Sequence, residues 1–138
     1  MFKHILLATD GSPVVERIIL YAAHLARRED AEIIVLHAYE LPERYSSYRG
    51  YDELIDQYRS VAQALLDEVV QQLREDGVAV QGELRTGAAA EAIIMAAAEH
   101  NVDLIIMGTR GSSNITDIIG SVSNQVLSRA TCPVLEIP

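Results

Sequence analysis

Two glycine motifs in the C-terminal third contain the residue types best suited to bind an anion. Gly108-Thr109-Arg110-Gly111 follows an apolar run at residues 103–107, and Gly120-Ser121 precedes a helical stretch at residues 122–130. Strand, glycine-rich loop and helix N-terminus together are typical of phosphate sites. Glycines permit close backbone approach and positive φ, and the free amides of the helix start attract the anion. Ser121 would either bond a phosphate oxygen or cap the helix. The alternative is a strand-to-helix connection with glycines at turn positions.

The composition is that of one soluble domain spanning residues 1–138, long enough for a single core. The net charge of −9 would repel a phosphate backbone, so we expect no nucleic-acid partner. We also expect no membrane partner, because no apolar run approaches the roughly 20 residues that span a bilayer. The N-terminus has no signal-type segment, which predicts a cytoplasmic protein. Cys132 is the only cysteine, so a disulfide framework is excluded.

Apolar runs and amphipathic stretches alternate along the chain, which predicts a parallel sheet with helices on both faces. Ser12 and Pro13 resemble a helix start, with a capping hydroxyl followed by proline at the first helical position. The predicted strands cover 3–8, 31–38, 78–85, 103–107 and 133–137, and the third is expected near an edge. The predicted helices cover 13–28, 52–75, 88–100 and 115–130, the last with a possible break near Gly120. The longest has an apolar stripe at Leu54, Ile55, Tyr58, Val61, Leu65, Val69 and Leu73.

In such a sheet, ligands bind beyond the carboxyl ends of the strands. Three segments should meet there: Ala8-Thr9-Asp10, His37-Ala38-Tyr39 and residues 107–111. Asp10 is equally well interpreted as a turn former or as a ribose or Mg²⁺ contact. His37 favours a core or interface role over a ligand role. A tyrosine-rich connection at residues 40–50 is either a surface loop or a lid over the ligand.

Taken together, these segments resemble the universal stress protein family over essentially the whole chain. The matching pieces are Ile5-Leu6-Leu7-Ala8-Thr9-Asp10-Gly11-Ser12, Leu36-His37-Ala38, Gly87 with Ala92-Ile93, residues 103–111, Gly120-Ser121-Val122-Ser123 and Cys132-Pro133-Val134-Leu135. The resemblance implies a Rossmann-like open parallel five-stranded sheet of order 3-2-1-4-5, with helices on both faces, and a homodimer.

The ATP-binding branch of that family carries Gly, two residues, Gly, nine residues, then Gly with Ser or Thr. Gly108 and Gly111 match the first pair and Gly120-Ser121 the last, but only eight residues separate them here. A residue missing near Ser112-Ser113-Asn114 would tighten the loop tip and leave the anchors in place. A residue missing from a helical turn would rotate the phosphate donors by about 100°. The loop-like sequence favours the first case.

The resemblance also implies which residues bind the ligand, expected to be ATP or another adenine nucleotide with Mg²⁺. Ala8, Thr9 and Asp10 would contact adenine and ribose, and the Ala38 backbone would recognise adenine. Met107 and Gly108 would pack near the ribose. The phosphates would be surrounded by Gly111, Ser112, Gly120, Ser121, Val122 and Ser123, with Arg110 placed by spacing alone. No protein-held metal site is expected, because His4, His24 and His100 lack metal-ligand spacing with one another or with carboxylates.

Three function classes remain: a nucleotide-binding stress-response regulator with little catalysis, a slow ATP hydrolase, and a dimeric protein without nucleotide. A P-loop enzyme needs Gly-Lys-Ser or Gly-Lys-Thr, whereas the single lysine is Lys3. No catalytic residue is therefore predicted. A response-regulator receiver is excluded because Asp10 lacks acidic neighbours and the fifth strand lacks a lysine. An FMN-binding flavodoxin is excluded because the segment 10–13 is too acidic and contains proline.

The predicted homodimer contact is the last strand, with Val134, Leu135 and Ile137. Further protein partners are not identified.

Overall fold

Strands and α-helices alternate in the computed structural model, which describes residues 1–109 and 120–138. Five strands lie within these two segments: β1 (His4–Ala8), β2 (Glu32–Tyr39), β3 (Ala79–Thr86), β4 (Leu104–Gly108) and β5 (Val134–Ile137). The α-helices there are α1 (Val15–Glu29), α2 (Tyr51–Glu75), α3 (Ala89–Glu99) and α4 (Ser121–Arg129), with a short 3₁₀ turn at Glu43–Tyr45. None of the described helices is long and apolar enough to cross a bilayer.

The sheet is parallel and has the order β3-β2-β1-β4-β5, so the predicted fold class and strand order are confirmed. β3 lies at one edge, as its weak alternation predicted, and β5 lies at the other. The central strand begins against Asp103, whose carboxylate accepts hydrogen bonds from the amides of Lys3 (2.8 Å) and His4 (3.2 Å). This contact sets the register between β1 and β4 at the amino end of the sheet.

Side chains alternate across the sheet and form a core on each face. Ile5, Leu7, Ile33 and Val35 pack under α1 and α2. Leu6, Ile34 and Leu36 pack against α3 and α4 on the other face. Because both faces are covered, the central strands are apolar throughout, which explains why continuous apolar runs marked them in the sequence.

The predicted start of the first helix is wrong by two residues. The helix begins at Val15, and its start makes no side-chain capping bond. Ser12 accepts the Val15 amide through its backbone carbonyl (3.0 Å), and its own amide donates to Asp10 Oδ1 (2.9 Å). The Asp10 turn takes priority over the Ser12 cap, so Pro13 occupies a turn before the helix.

The predicted apolar stripe of α2 is buried only in its C-terminal half. Val69 and Leu73 are buried as expected, whereas Tyr58 and Val61 are 40% and 71% exposed. Burial along the helix begins at Ala62. The helical period was predicted correctly, but the N-terminal turns of α2 lie where no described element covers them fully.

A glycine is required where α2 meets the end of β1. Gly11 has φ of +82°, and a Cβ there would collide with the Leu65 side chain. Both features disfavour any residue with a side chain. The contact fixes the loop after β1 against α2, beside the carboxyl end of the sheet.

Candidate functional site

A cavity of about 170 Å³ opens at the carboxyl ends of β1, β2 and β4. We call it the site cavity. Its lining includes every predicted binding residue that lies within the described segments: Ala8, Thr9, Asp10, Ala38, Met107, Gly108, Gly120, Ser121, Val122 and Ser123. The other three, Arg110, Gly111 and Ser112, lie outside the described residues. The three segments expected to meet at this end of the sheet therefore do meet, although their binding roles stay predictions.

One wall of the cavity is apolar. Leu36 and Met107 contribute from the sheet, and Ile93 contributes from α3. These three side chains belong to the core on the α3 and α4 face, so the wall is held by packing. A flat apolar ring could lie against it with little rearrangement.

The start of α4 forms the polar end of the cavity. The first helical hydrogen bond runs from the Asn124 amide to the Gly120 carbonyl at 3.0 Å. The amides of Ser121, Val122 and Ser123 therefore precede the helical ladder, as the first N–H groups of a helix do. This arrangement suits an anion, because free amides and the positive end of the helix dipole coincide.

The glycine before α4 differs from the sequence expectation. Gly120 has φ of −72°, so the expected positive φ is wrong. Its amide donates to the Thr109 carbonyl at 2.6 Å, which connects the helix start to the end of β4. Gly120 is buried and lines the cavity.

Two serines at the helix start have different environments. Ser121 is exposed and is the first residue of α4, whose cap position belongs to Gly120, so the helix-cap interpretation of Ser121 is wrong. Ser123 is 2% exposed, and its hydroxyl donates to the Gly108 carbonyl at 2.7 Å. Since that proton is used within the protein, Ser123 can offer an anion its backbone amide.

The turn after β1 is held by its own side chains. Thr9 Oγ1 accepts the Gly11 amide at 3.2 Å, and Asp10 Oδ1 accepts the Ser12 amide at 2.9 Å. The turn-forming interpretation of Asp10 is thus confirmed. Asp10 is also exposed and lines the cavity.

The backbone at the end of β2 also faces the site cavity. The Thr9 amide donates to the Leu36 carbonyl at 3.0 Å, so the backbone polar groups of Leu36 point towards β1. In a parallel ladder, groups two residues apart point to the same side. The amide and carbonyl of Ala38 therefore point past the end of β1, where the chain turns away at Asp10.

His37 is satisfied within the protein, as expected. It is 8% exposed, and its Nδ1 lies 2.9 Å from the Thr9 carbonyl oxygen. It also lines a second cavity of about 370 Å³, the α2 cavity, between the end of β2 and residues 57–65 of α2. The site cavity is smaller, but it is the one that combines an apolar wall with backbone amides.

The tyrosine-rich connection is not part of the described lining of the site cavity. Tyr45 and Tyr48 pack edge to face with ring centroids 5.6 Å apart, and the Arg44 guanidinium lies 4.8 Å from the Tyr45 ring. Tyr39 stacks on His37 at 6.5 Å and lines the α2 cavity. The geometry supports the surface-loop interpretation over the lid.

Glu136 on β5 is a half-buried acid whose carboxylate is enclosed, which the sequence did not predict. Neither carboxylate oxygen is accessible to solvent or hydrogen-bonded within the described part of the chain. Burial raises the pKa of Glu136, and the nearby Ser123 hydroxyl opposes only part of that rise. The Ser123 hydroxyl donates its proton to the Gly108 carbonyl, so it does not donate a hydrogen bond to the Glu136 carboxylate.

His100 is closer to carboxylates than its spacing suggested. Glu83, Glu99 and His100 place one ligand atom each within 4.8 Å of one another. Sequence reasoning missed this because Glu83 comes from β3, and the pairing of β3 with α3 is a long-range contact. Arg85 forms ion pairs with both carboxylates, and His100 Nε2 lies 2.8 Å from Glu83 Oε1. Burial opposes ionisation of Glu83, but hydrogen bonds from His100 and Arg85 outweigh it and lower the Glu83 pKa. The cluster is best described as an ion-pair network that joins β3 to α3.

Sequence reasoning also omitted several lining residues. Ser12, Val14 and Ile18 line the cavity from the β1–α1 segment, and Ala89 and Ile93 line it from α3. Their position just after strands β1 and β3 is the signal that could have identified them, because those connections start at the carboxyl end of the sheet.

The sequence profile of the universal stress protein family matches residues 1–138. The chain is 37% identical over 139 residues to a universal stress protein encoded in the QAH/OAS sulfhydrylase 3′ region of Thermus aquaticus, covering 98% of each chain. Its structure resembles that of the protein MJ0577 with a TM-score of 0.89 and 27% identity, over 99% of this chain and 96% of the other.

A second similar structure contains a nucleotide. It is a universal stress protein in complex with cAMP, with a TM-score of 0.73 and 25% identity. The likeness covers 99% of this chain and 96% of that one.

Proposed function

The chain belongs to the universal stress protein family, and we propose that it binds an adenine nucleotide, ATP with Mg²⁺, in the site cavity with little or no catalysis. In this proposal it acts as a cytoplasmic regulator of the stress response. The observation that carries the proposal is that the helix-start amides of α4 and the backbone groups of Ala38 face one cavity.

The base fits the sheet end of the cavity. Ala38 presents one donor and one acceptor from its backbone, a pair that matches the Watson–Crick edge of adenine. Leu36, Met107 and Ile93 provide the apolar surface for the ring. The cAMP complex of a similar universal stress protein supports an adenine ligand for this fold.

The phosphates fit the start of α4. The amides of Ser121, Val122 and Ser123 would hold phosphate oxygens, and the helix dipole would add to the attraction. Asp10 is the one carboxylate among the described lining residues, so it is our candidate to hold Mg²⁺, directly or through water. When bound, the cation would neutralise phosphate charge in a chain of net charge −9.

We also propose a homodimer through β5. The strand lies at the edge of the sheet, and edge strands expose unpaired backbone groups that invite a second chain. Val134, Leu135 and Ile137 are the residues we assign to this contact. A two-fold arrangement would pair the strand with its own copy.

Two measurements test the nucleotide proposal. Mass spectrometry of ligand released from denatured, freshly purified protein should detect an adenine nucleotide. Calorimetry on the stripped protein should show Mg²⁺-dependent ATP binding that is stronger than GTP binding. If no nucleotide is released and millimolar ATP gives no heat of binding, the proposal is wrong. The alternative, a dimeric protein that does not bind nucleotide, would then be favoured.

A further inference from the structure

His37 lies behind the proposed base site and touches it only through Thr9, whose carbonyl it bonds and which lines the site cavity. Its ring packs on the α1 and α2 face of the sheet, in the wall of the α2 cavity. The imidazole reaches the end of the neighbouring strand, where Nδ1 lies 2.9 Å from the Thr9 carbonyl oxygen. Because a carbonyl can only accept, Nδ1 must carry the proton of this bond.

This bond replaces a backbone bond. Continuing the parallel ladder after the Thr9–Leu36 bond would pair the Ala38 amide with the Thr9 carbonyl. Within residues 1–109 and 120–138 that backbone pair is not made, and the imidazole takes the carbonyl instead. The consequence is that the ladder between β1 and β2 ends one step early.

We propose that His37 is a positioning residue for nucleotide binding: it occupies the Thr9 carbonyl and thereby keeps the Ala38 amide available for the base. The inference rests on the proposed function and extends it to a residue outside the lining of the site cavity. Leu65 lies on the same side of the sheet as His37. It packs directly against Gly11 and so helps to hold the turn that follows β1.

The role makes a specific demand on side-chain chemistry. Asn places an amide nitrogen near the position of Nδ1, so His37→Asn retains the donor to Thr9. His37→Leu removes it and leaves the Thr9 carbonyl to the Ala38 amide. His24 is exposed on α1, so His24→Leu is a matched control for the same substitution.

The first experiment is calorimetry of ATP and GTP binding to the full-length variants. We expect H37L to weaken ATP binding by about two- to tenfold, the usual worth of one neutral hydrogen bond. GTP binding should change less, because guanine N1 carries a proton and cannot accept from the Ala38 amide, so the ATP-to-GTP preference falls. H37N and H24L should keep both the affinity and the preference. If circular dichroism shows that H37L does not fold, His37→Gln replaces it, since its amide nitrogen reaches the Nε2 position instead.

The second experiment does not depend on nucleotide. Two-bond ¹H–¹⁵N spectra of the free protein should show His37 protonated at Nδ1, the less common tautomer of a free imidazole. A proton on Nε2 with bare Nδ1 would overturn the inference. An H37L protein that binds ATP with unchanged preference would overturn it too, while the proposed function would stand. Absence of any nucleotide binding by the unsubstituted protein would overturn the proposed function and this inference with it.

Discussion

Glu136 places an ionisable carboxylate where solvent does not reach it. Within residues 1–109 and 120–138 this carboxylate has no hydrogen-bond partner, and burying such a group is costly, so the folded state favours its protonated form. Its pKa is raised in the folded protein by burial. A group of this kind contributes stability that is fully present below its unfolded pKa and is lost as the pH rises through the folded pKa.

The first prediction follows from this sign. Relative to Glu136→Gln, the unsubstituted protein should lose stability as the pH rises from 4 towards about 7. Urea unfolding across that range measures the difference. Glu91 is the control of opposite sign, because a hydrogen bond and ion pair from Arg129 lower its pKa. Against Glu91→Gln, the unsubstituted protein should gain stability as the pH rises through the Glu91 pKa. A Glu136 profile that is flat with pH would contradict the assignment.

The second prediction concerns Gly120. Its φ of −72° and ψ of 168° are open to any residue, so substitution should leave the fold intact. A side chain would instead occupy the space beside the α4 amides. We expect Gly120→Ala to weaken ATP binding and Gly120→Val to abolish it, with unfolding midpoints close to that of the parent. If calorimetry shows that Gly120→Val binds ATP with unchanged affinity, the assignment of the nucleotide to this end of the cavity is wrong.

At the scale of elements, α2 shows what periodicity can predict. Apolar spacing located the helix within one residue at its start, with the predicted end matching the observed Glu75. It did not show that burial begins at Ala62, because that depends on where the sheet and the other helices end in space. The same limit applies at α1, where the Asp10 turn displaced the expected Ser12 cap.

The third prediction uses that difference along α2. Val61→Ser should change the free energy of unfolding by less than about 0.5 kcal/mol, because the side chain is 71% exposed. Leu73→Ala should cost about 2–5 kcal/mol, because Leu73 is fully buried in the core. Chemical denaturation of both variants measures the two values. A large cost at Val61 would mean that another chain covers this part of α2.

At the scale of the whole molecule, the strand order followed from the family resemblance, since alternation alone predicts a parallel sheet and not its order. The described residues that were predicted to bind, from β1, β2, β4 and α4, do line one cavity, and their binding roles stay predictions. The resemblance could not identify Glu136 or the Glu83–His100 contact, because both depend on neighbours far away in sequence. Long-range polar environments are thus the part of this protein that motifs predict least.

The fourth prediction is that ATP turnover is far below the rates of about 1–10³ per second typical of enzymes. Phosphoryl transfer needs charge stabilisers and a group that orients the nucleophile. Lys3, the single lysine of the chain, lies at the start of β1, at the opposite end of the sheet from the site cavity. Asp10 is already engaged by the Ser12 amide. Steady-state release of several phosphates per second from pure protein would contradict this prediction and favour the interpretation as an ATP hydrolase.

The fifth prediction concerns the β5 edge. The Pro133 and Ile137 carbonyls accept bonds from Ile105 and Thr109, both at 3.0 Å, so these positions face β4. By alternation, the backbone groups of Val134 and Glu136 point away from the sheet. We therefore expect sedimentation at micromolar concentrations to give a mass near twice the 15.2 kDa of one chain.

A proline at an outward-facing position removes a donor for the second chain without removing one for β4. Val134→Pro should thus sediment as a monomer and remain folded. Leu135→Pro is the matched control, because Leu135 alternates with Val134 and its amide faces β4; that variant should lose stability in the single chain itself. A single species near 15.2 kDa for the unsubstituted protein across the concentration range would exclude the dimer there. A dimer whose dissociation constant is unchanged by Val134→Pro would contradict pairing through β5, since that substitution removes one of its two outward amides, the other being that of Glu136.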